Sequence, residues 1–151
     1  MTIYQNGDQI NLIHMDNGHT DGDSIVYFTK NNIIHVGDDF SDKSYPFIDI
    51  SSGGSVDGLI SSLKTISSII NDETKVVSGH TGISNKTKVD EFINMITDVR
   101  YQVSQMIKEG KSLDDIITSK PTSKYDNIYY DYTNIKPKDF VTHVYQSLTK
   151  K

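Results

Sequence analysis

The sequence predicts a mixed α/β fold: one mainly antiparallel sheet with helices packed against one of its faces. Three observations carry that expectation. Residues 1–37 break into short apolar runs separated by Asn-Gly and Asn-Asn turn signals, the pattern of antiparallel strands. Further along, apolar residues recur at i, i+3, i+4 and i+7, the pattern of helices with one buried stripe. Between the first two helical stretches lies one short apolar run, Lys75-Val76-Val77, too brief for a helix and suited to a buried strand. Elements of both kinds sharing one core make a layer of helices on a sheet.

Taken in order, Ile3 and Tyr4 precede Asn6-Gly7, a pair that accepts the positive φ angles of a two-residue hairpin turn. Gln9 to Met15 forms the returning strand. Residues 16–23 hold three of the chain's aspartates and two glycines, which predicts a loop. Ser24 to Thr29 and Ile33 to Val36 are strands flanking Asn31-Asn32, and the second ends at Gly37-Asp38-Asp39. The stretch from Phe40 to Gly54 is irregular, with Pro46 inside it. Ser55 is placed to cap a helix whose apolar face is Leu59, Ile60, Leu63, Ile66, Ile69 and Ile70. After the strand at Val76, a long helix carries Val89, Phe92, Ile93, Ile96, Val99 and Val103 on one stripe and stops at Gly110. Ser112 caps a short helix ending before Pro121, Tyr125–Tyr132 reads as a loop or irregular strand, and Phe140, Val144 and Leu148 define a last amphipathic helix. No internal repeat or linker interrupts residues 1–151, which are expected to form a single domain.

Composition narrows the function. The hydrophobic fraction is 35%, there is no Ala or Trp, and Arg100 is the single arginine among fifteen basic residues. A net charge of -5 opposes a nucleic-acid footprint, which requires clustered Lys and Arg. The absence of Cys excludes disulfides, thiolate metal sites and cysteine nucleophiles. No apolar run is long enough for a membrane-spanning helix, and the first fifteen residues lack the basic and apolar regions of a signal peptide. A soluble, cytoplasmic chain with a small-molecule substrate, if it is an enzyme, is therefore expected.

Three polar residues stand beside glycines at strand ends: His19, Asp38 and His80. A glycine lets the backbone turn sharply there and leaves the side chain projecting from the sheet edge. Imidazole and carboxylate are the donors zinc accepts when thiolates are missing, so these residues are candidate metal ligands; solvated loop residues are the alternative.

Their surroundings add to this. Gly18-His19-Thr20-Asp21-Gly22-Asp23-Ser24, His35-Val36-Gly37-Asp38 and Ser78-Gly79-His80-Thr81-Gly82 resemble, in order, motifs of the metallo-β-lactamase superfamily. Tyr45-Pro46-Phe47-Ile48-Asp49 with Gly53-Gly54-Ser55 looks like the linker of a hydrolase subgroup, and the tail from Lys120 to Leu148 resembles its closing helices. The resemblance extends over essentially the whole chain. It implies that His19 binds a first metal, Asp38 bridges, and His80 binds a second, with zinc as the cofactor and hydrolysis by acidified water as the chemistry.

The family's His-x-His-x-Asp-His motif is absent, since no two of His14, His19, His35, His80 and His143 are separated by a single position. The chain therefore resembles the C-terminal half of an αββα sandwich, with about half of the family's metal ligands missing. A weak or incomplete zinc site is expected in the isolated chain. The two functional readings are a zinc-dependent hydrolase that needs its other half, and an inactive structural or interaction domain that keeps the fold. A half-sandwich leaves one sheet face to be covered, so the expected partner is a missing N-terminal half or, in a homodimer, a second copy.

The remaining candidates have ordinary readings. His14 is expected to be packed or on the surface, His35 to support a strand end, and His143 to be solvated. Asp21 and Asp23 either orient His19 or organise their loop. Asp39 competes with Asp38, whose Gly-Asp context favours it. Tyr125, Tyr129, Tyr130 and Tyr132 read as packing residues rather than a substrate cleft.

Overall fold

The computed structural model describes residues 1–130 and 135–150, so Tyr132 lies outside the described residues. Six strands form one sheet in the order β1-β2-β3-β4-β5-β6. β1 (Thr2–Gln5), β2 (Asp8–Met15), β3 (Asp23–Phe28) and β4 (Ile33–Gly37) make an antiparallel meander. Its first turn places Asn6 and Gly7 at φ 52° and 74°, the conformation that a right-twisted two-residue hairpin demands. β4 then pairs in parallel with β5 (Lys75–Ser78). Parallel neighbours need a crossover, and helix α1 (Val56–Ile69) supplies it. β6 (Ile83–Ser84) adds an antiparallel edge that the sequence did not predict, because two residues carry no alternation.

Two helices begin at the capping residues the sequence predicts, Ser55 and Ser112. Ser55 Oγ accepts from Gly58 N at 2.9 Å to open α1. Asn85 opens α2 (Lys86–Lys108), and a Ser112–Asp115 capping box opens α3 (Leu113–Thr118). Helix α4 (Pro137–Thr149) starts on Pro137, whose missing N–H leaves no bond unmade at that position. Leu59, Leu63 and Ile66 of α1 meet Phe92, Ile96, Val99 and Val103 of α2 in a fully buried core. Truncating any of the larger of these to Ala would cost about 2–5 kcal/mol.

The two sheet faces differ sharply. Met15, Ile25, Ile34, Val36 and Val76 point toward the helices and are buried. Side chains paired across strands share a face, so the register assigns Ile10, Leu12, Val26, Phe28, Ile33 and Val77 to the opposite side. Those six are only half-buried, and none joins the core that the helices complete. Ile3 and Ile83 extend this apolar face to both sheet edges, at 40% and 70% exposure. The architecture is one sheet with helices on one face, as the sequence predicts. No helix among the described residues is long and apolar enough to cross a membrane.

An aromatic cluster fixes the segment after β4. Phe40 packs edge-on against Phe92 with centroids 5.4 Å apart, and Tyr45 stacks on Phe140 at 5.2 Å. Tyr129 joins both, at 5.7 Å from Tyr45 and 5.6 Å from Phe92. Such ring pairs contribute about 0.5–1.5 kcal/mol each beyond area burial. The Tyr45 hydroxyl donates to Asp126 Oδ1 at 2.7 Å, and burial followed by that carboxylate raises its pKa well above the usual phenol value. Phe40 and Tyr45 thereby pin this irregular segment to α2 and α4.

Candidate metal centre

Three loops at one end of the sheet build the site. The β2–β3 loop presents His19, and its backbone is held from several sides. Asp49 N donates to His19 O at 2.9 Å, and Ser55 N donates to Asn17 O at 3.0 Å. Asn17 Nδ2 reaches Gly53 O at 2.9 Å. Gly54 passes so close that a Cβ there would lie 2.3 Å from His19 O and 2.9 Å from Asp49 O. Glycine is required by that approach.

The His19 ring is held by Asp23, with Nδ1 3.4 Å from Asp23 Oδ1. Asp23 is held in turn by Thr20, whose N and Oγ1 donate at 2.6 and 2.9 Å. A carboxylate at Nδ1 leaves Nε2 as the nitrogen able to bind a ligand, the usual support of a metal-binding imidazole. Of the two expectations for Asp23, orienting His19 and organising the loop, the geometry shows both.

Asp39 lies beneath. It is fully buried, and its Oδ1 accepts from His19 N at 3.0 Å, while Oδ2 has no hydrogen-bond partner among the described residues. Burial pushes the carboxyl up to about 7; the His19 N–H opposes that rise and the nearby Asp23 carboxylate adds to it. Asp38 is the neighbour that lines the cavity and Asp39 the one that supports it.

β4 ends in an irregularity between His35 and Gly37, with Gly37 at φ 56°. Asp38 follows, and Gly79 N ties the adjacent strand end to Gly37 O at 2.8 Å. Ser78, buried at the end of β5, anchors the next turn: its Oγ accepts from His80 N and Thr81 N, both at 3.3 Å. The result brings His80 Nε2 to 3.1 Å from Asp38 Oδ1, with both side chains open to solvent.

His19, Asp38 and His80 thus line one cavity of about 300 Å³. Two imidazoles and a carboxylate suit a divalent cation such as zinc. The 3.1 Å between His80 and Asp38 matches the edge of a zinc tetrahedron, about 3.3 Å for ordinary Zn–N and Zn–O bonds. The donor set fits. His19 stands apart: the three donor atoms do not gather within 4.8 Å of one another. The cluster of described residues that does is His14, Asp16 and Asp21, exposed on the outer side of the same loop. There His14 Nε2 meets Asp21 O at 2.6 Å and Nδ1 meets Asp16 at 3.1 Å.

His35 is exposed and accepts from Gly37 N at 3.3 Å, bracing the strand end. His143 differs from expectation. It is half-buried, its ring meets Phe47 edge-on at 5.0 Å, and burial lowers its pKa. Helical periodicity could not show this, because Phe47 arrives from a distant irregular segment.

No family model matches the chain, and no curated protein matches it by sequence. Solved structures do. A double mutant of the sec-alkyl sulfatase PisA1 superposes at TM-score 0.77 and 12% identity, over 99% of this chain and 25% of that one. A metallo-beta-lactamase from Pontibacter korlensis gives 0.56 at 14% identity, over 65% and 46%. The BLEG-1 B3 metallo-beta-lactamase gives 0.52 at 20% identity, over 64% and 45%. The chain therefore shares the fold of part of these structures. It spans less than half the length of each of these proteins.

Proposed function

We propose that this chain supplies one side of a metal-dependent hydrolase centre, with His19 serving one zinc ion, His80 a second, and Asp38 both. The contact between His80 Nε2 and Asp38 Oδ1 at 3.1 Å, on the cavity that His19 also lines, carries the reading. The remaining ligands would come from the segment that covers the open sheet face, either an N-terminal half or a second copy. The chemistry such ions supply is polarisation of a carbonyl or phosphoryl group and acidification of water.

The chain's own residues have defined tasks in this reading. Asp23 holds the His19 ring so that Nε2 is its free donor. The buried Asp39 holds the His19 backbone. Ser78 shapes the turn that presents His80. Phe40, Tyr45 and Pro46 form a wall that excludes water from one side of the cavity.

A second reading, an inactive interaction domain, is favoured by the apolar sheet face and by the distance of His19 from the other two donors. Metal analysis of protein purified without chelators separates the two. Bound zinc that falls in both His19→Ala and His80→Ala supports the hydrolase reading. Bound metal that is unchanged in both variants retires it.

A further inference from the structure

Tyr45 separates two cavities. It lines the metal-donor cavity, while its hydroxyl donates at 2.7 Å to Asp126, which lines another of about 390 Å³. This second space lies between the turn after α3 and the start of α4, and the two cavities share no lining residue.

The second cavity is basic at its rim and apolar within. Lys120, Lys136 and Lys138 are exposed, Ile117 and Pro137 are half-buried, and Val141 is buried. These three lysines converge on a chain whose net charge is -5. The ammonium groups of Lys120 and Lys138 pair with no carboxylate among the described residues. Asp126 is the one acid of the described lining, and the Tyr45 hydroxyl already occupies it. The end of α4 adds little of its own: Pro137 has no N–H, and Asp139 Oδ2 accepts from Lys136 N at 3.0 Å. Attraction for an anion therefore rests on side chains.

Thr122 independently calls for an occupant. It lines the cavity at 1% exposure, yet its hydroxyl makes no hydrogen bond among the described residues. Buried hydroxyls are ordinarily paired, and a ligand oxygen in this space would pair this one.

We propose that this cavity binds a small organic anion, a phosphate ester or carboxylate on a short apolar group. Lys120, Lys136 and Lys138 hold the charge, Thr122 donates to an anion oxygen, and Ile117, Pro137 and Val141 take the apolar part. The site goes beyond the hydrolase reading and uses none of its residues.

The test is calorimetry and NMR titration of the whole chain, dialysed free of metal and chelator, with butyl phosphate, butyrate, inorganic phosphate and butanol. Butyl phosphate should shift Ile117, Thr122 and Val141, and should gain over inorganic phosphate about four-fold for each methylene buried. Butyrate should bind at the same residues more weakly, and butanol should not saturate the site. Lys120→Gln and Lys138→Gln should each weaken binding about three-fold, the strength of one exposed ion pair. Thr122→Val should cost about ten-fold, the value of a hydrogen bond to a charged group. Lys64→Gln, on α1 beside a different cavity, should leave the affinity unchanged. The two lysine variants alter exposed side chains, so they keep the test decisive even if Thr122→Val does not fold. Phosphatidic acid vesicles should not compete with butyl phosphate, which separates a free anion from a lipid headgroup. The inference is overturned by butyl phosphate binding no tighter than inorganic phosphate, by shifts centred elsewhere, by a double lysine variant as tight as the wild type, or by competing vesicles. Bound metal unchanged in both histidine variants retires only the hydrolase reading, and a failed titration retires only this one.

Discussion

The backbone N–H of His19 donates to the carboxyl of Asp39 at 3.0 Å, so a fully buried acid positions the loop that carries a candidate metal ligand. The second oxygen of that acid has no partner among the described residues.

Burial raises the Asp39 pKa to about 7, against about 3.9 in an unfolded chain. Between these values the folded chain holds a proton that the unfolded chain has lost, so stability should fall as pH rises from about 4 to about 7 and level off above. The full difference is on the order of 4 kcal/mol. Asp39→Asn keeps an oxygen for the His19 N–H and cannot ionise, so it should lose less stability than the wild type across that window. Urea denaturation of both metal-free proteins at pH 5 and pH 8 measures this; parallel losses would show that the dependence arises elsewhere.

Gly54→Ala should be costly. The added Cβ would lie 2.3 Å from a backbone oxygen of His19, which no side-chain rotation relieves. A destabilisation of about 1–3 kcal/mol or more is expected from such overpacking, together with a shift in the His19 ring resonances. A wild-type melting temperature would show that the loop gives way freely.

Tyr45→Phe removes the donor to Asp126 while leaving the stack on Phe140 intact. The loss should be about 1.5–3 kcal/mol, the value of a hydrogen bond to a charged group. Thermal unfolding checks it, and a neutral result would place all of Tyr45's contribution in its ring.

Val26→Lys puts a charge in the middle of the open sheet face without touching the core. If a second copy covers that face, light scattering of the wild type should show a dimer that this variant loses. A dimer unchanged by the substitution would place the contact elsewhere.

Local signals account for what was legible in the sequence. Asn6-Gly7, Ser55, Asn31-Asn32 and Gly110 each act within a few residues, and the elements they bound are found where the pattern predicts. His19, Asp38 and His80 were legible because each stands next to glycine at a strand end, and they do share one cavity. The rest depends on contacts between distant segments. The burial of Asp39 beneath the His19 loop and the burial of His143 against Phe47 both join segments far apart in sequence. Neither arrangement leaves a trace in local periodicity.

The parallel pairing of β4 with β5 has a kinetic consequence. Asp38 and His80 meet because both follow strands that run in the same direction, and α1 must be in place before those strands can lie together. Such long-range pairing carries a loop-closure entropy that its contacts must offset. A nascent or partly folded chain thus presents these two donors far apart, and a cation held between them would slow unfolding by tying together the ends of the crossover.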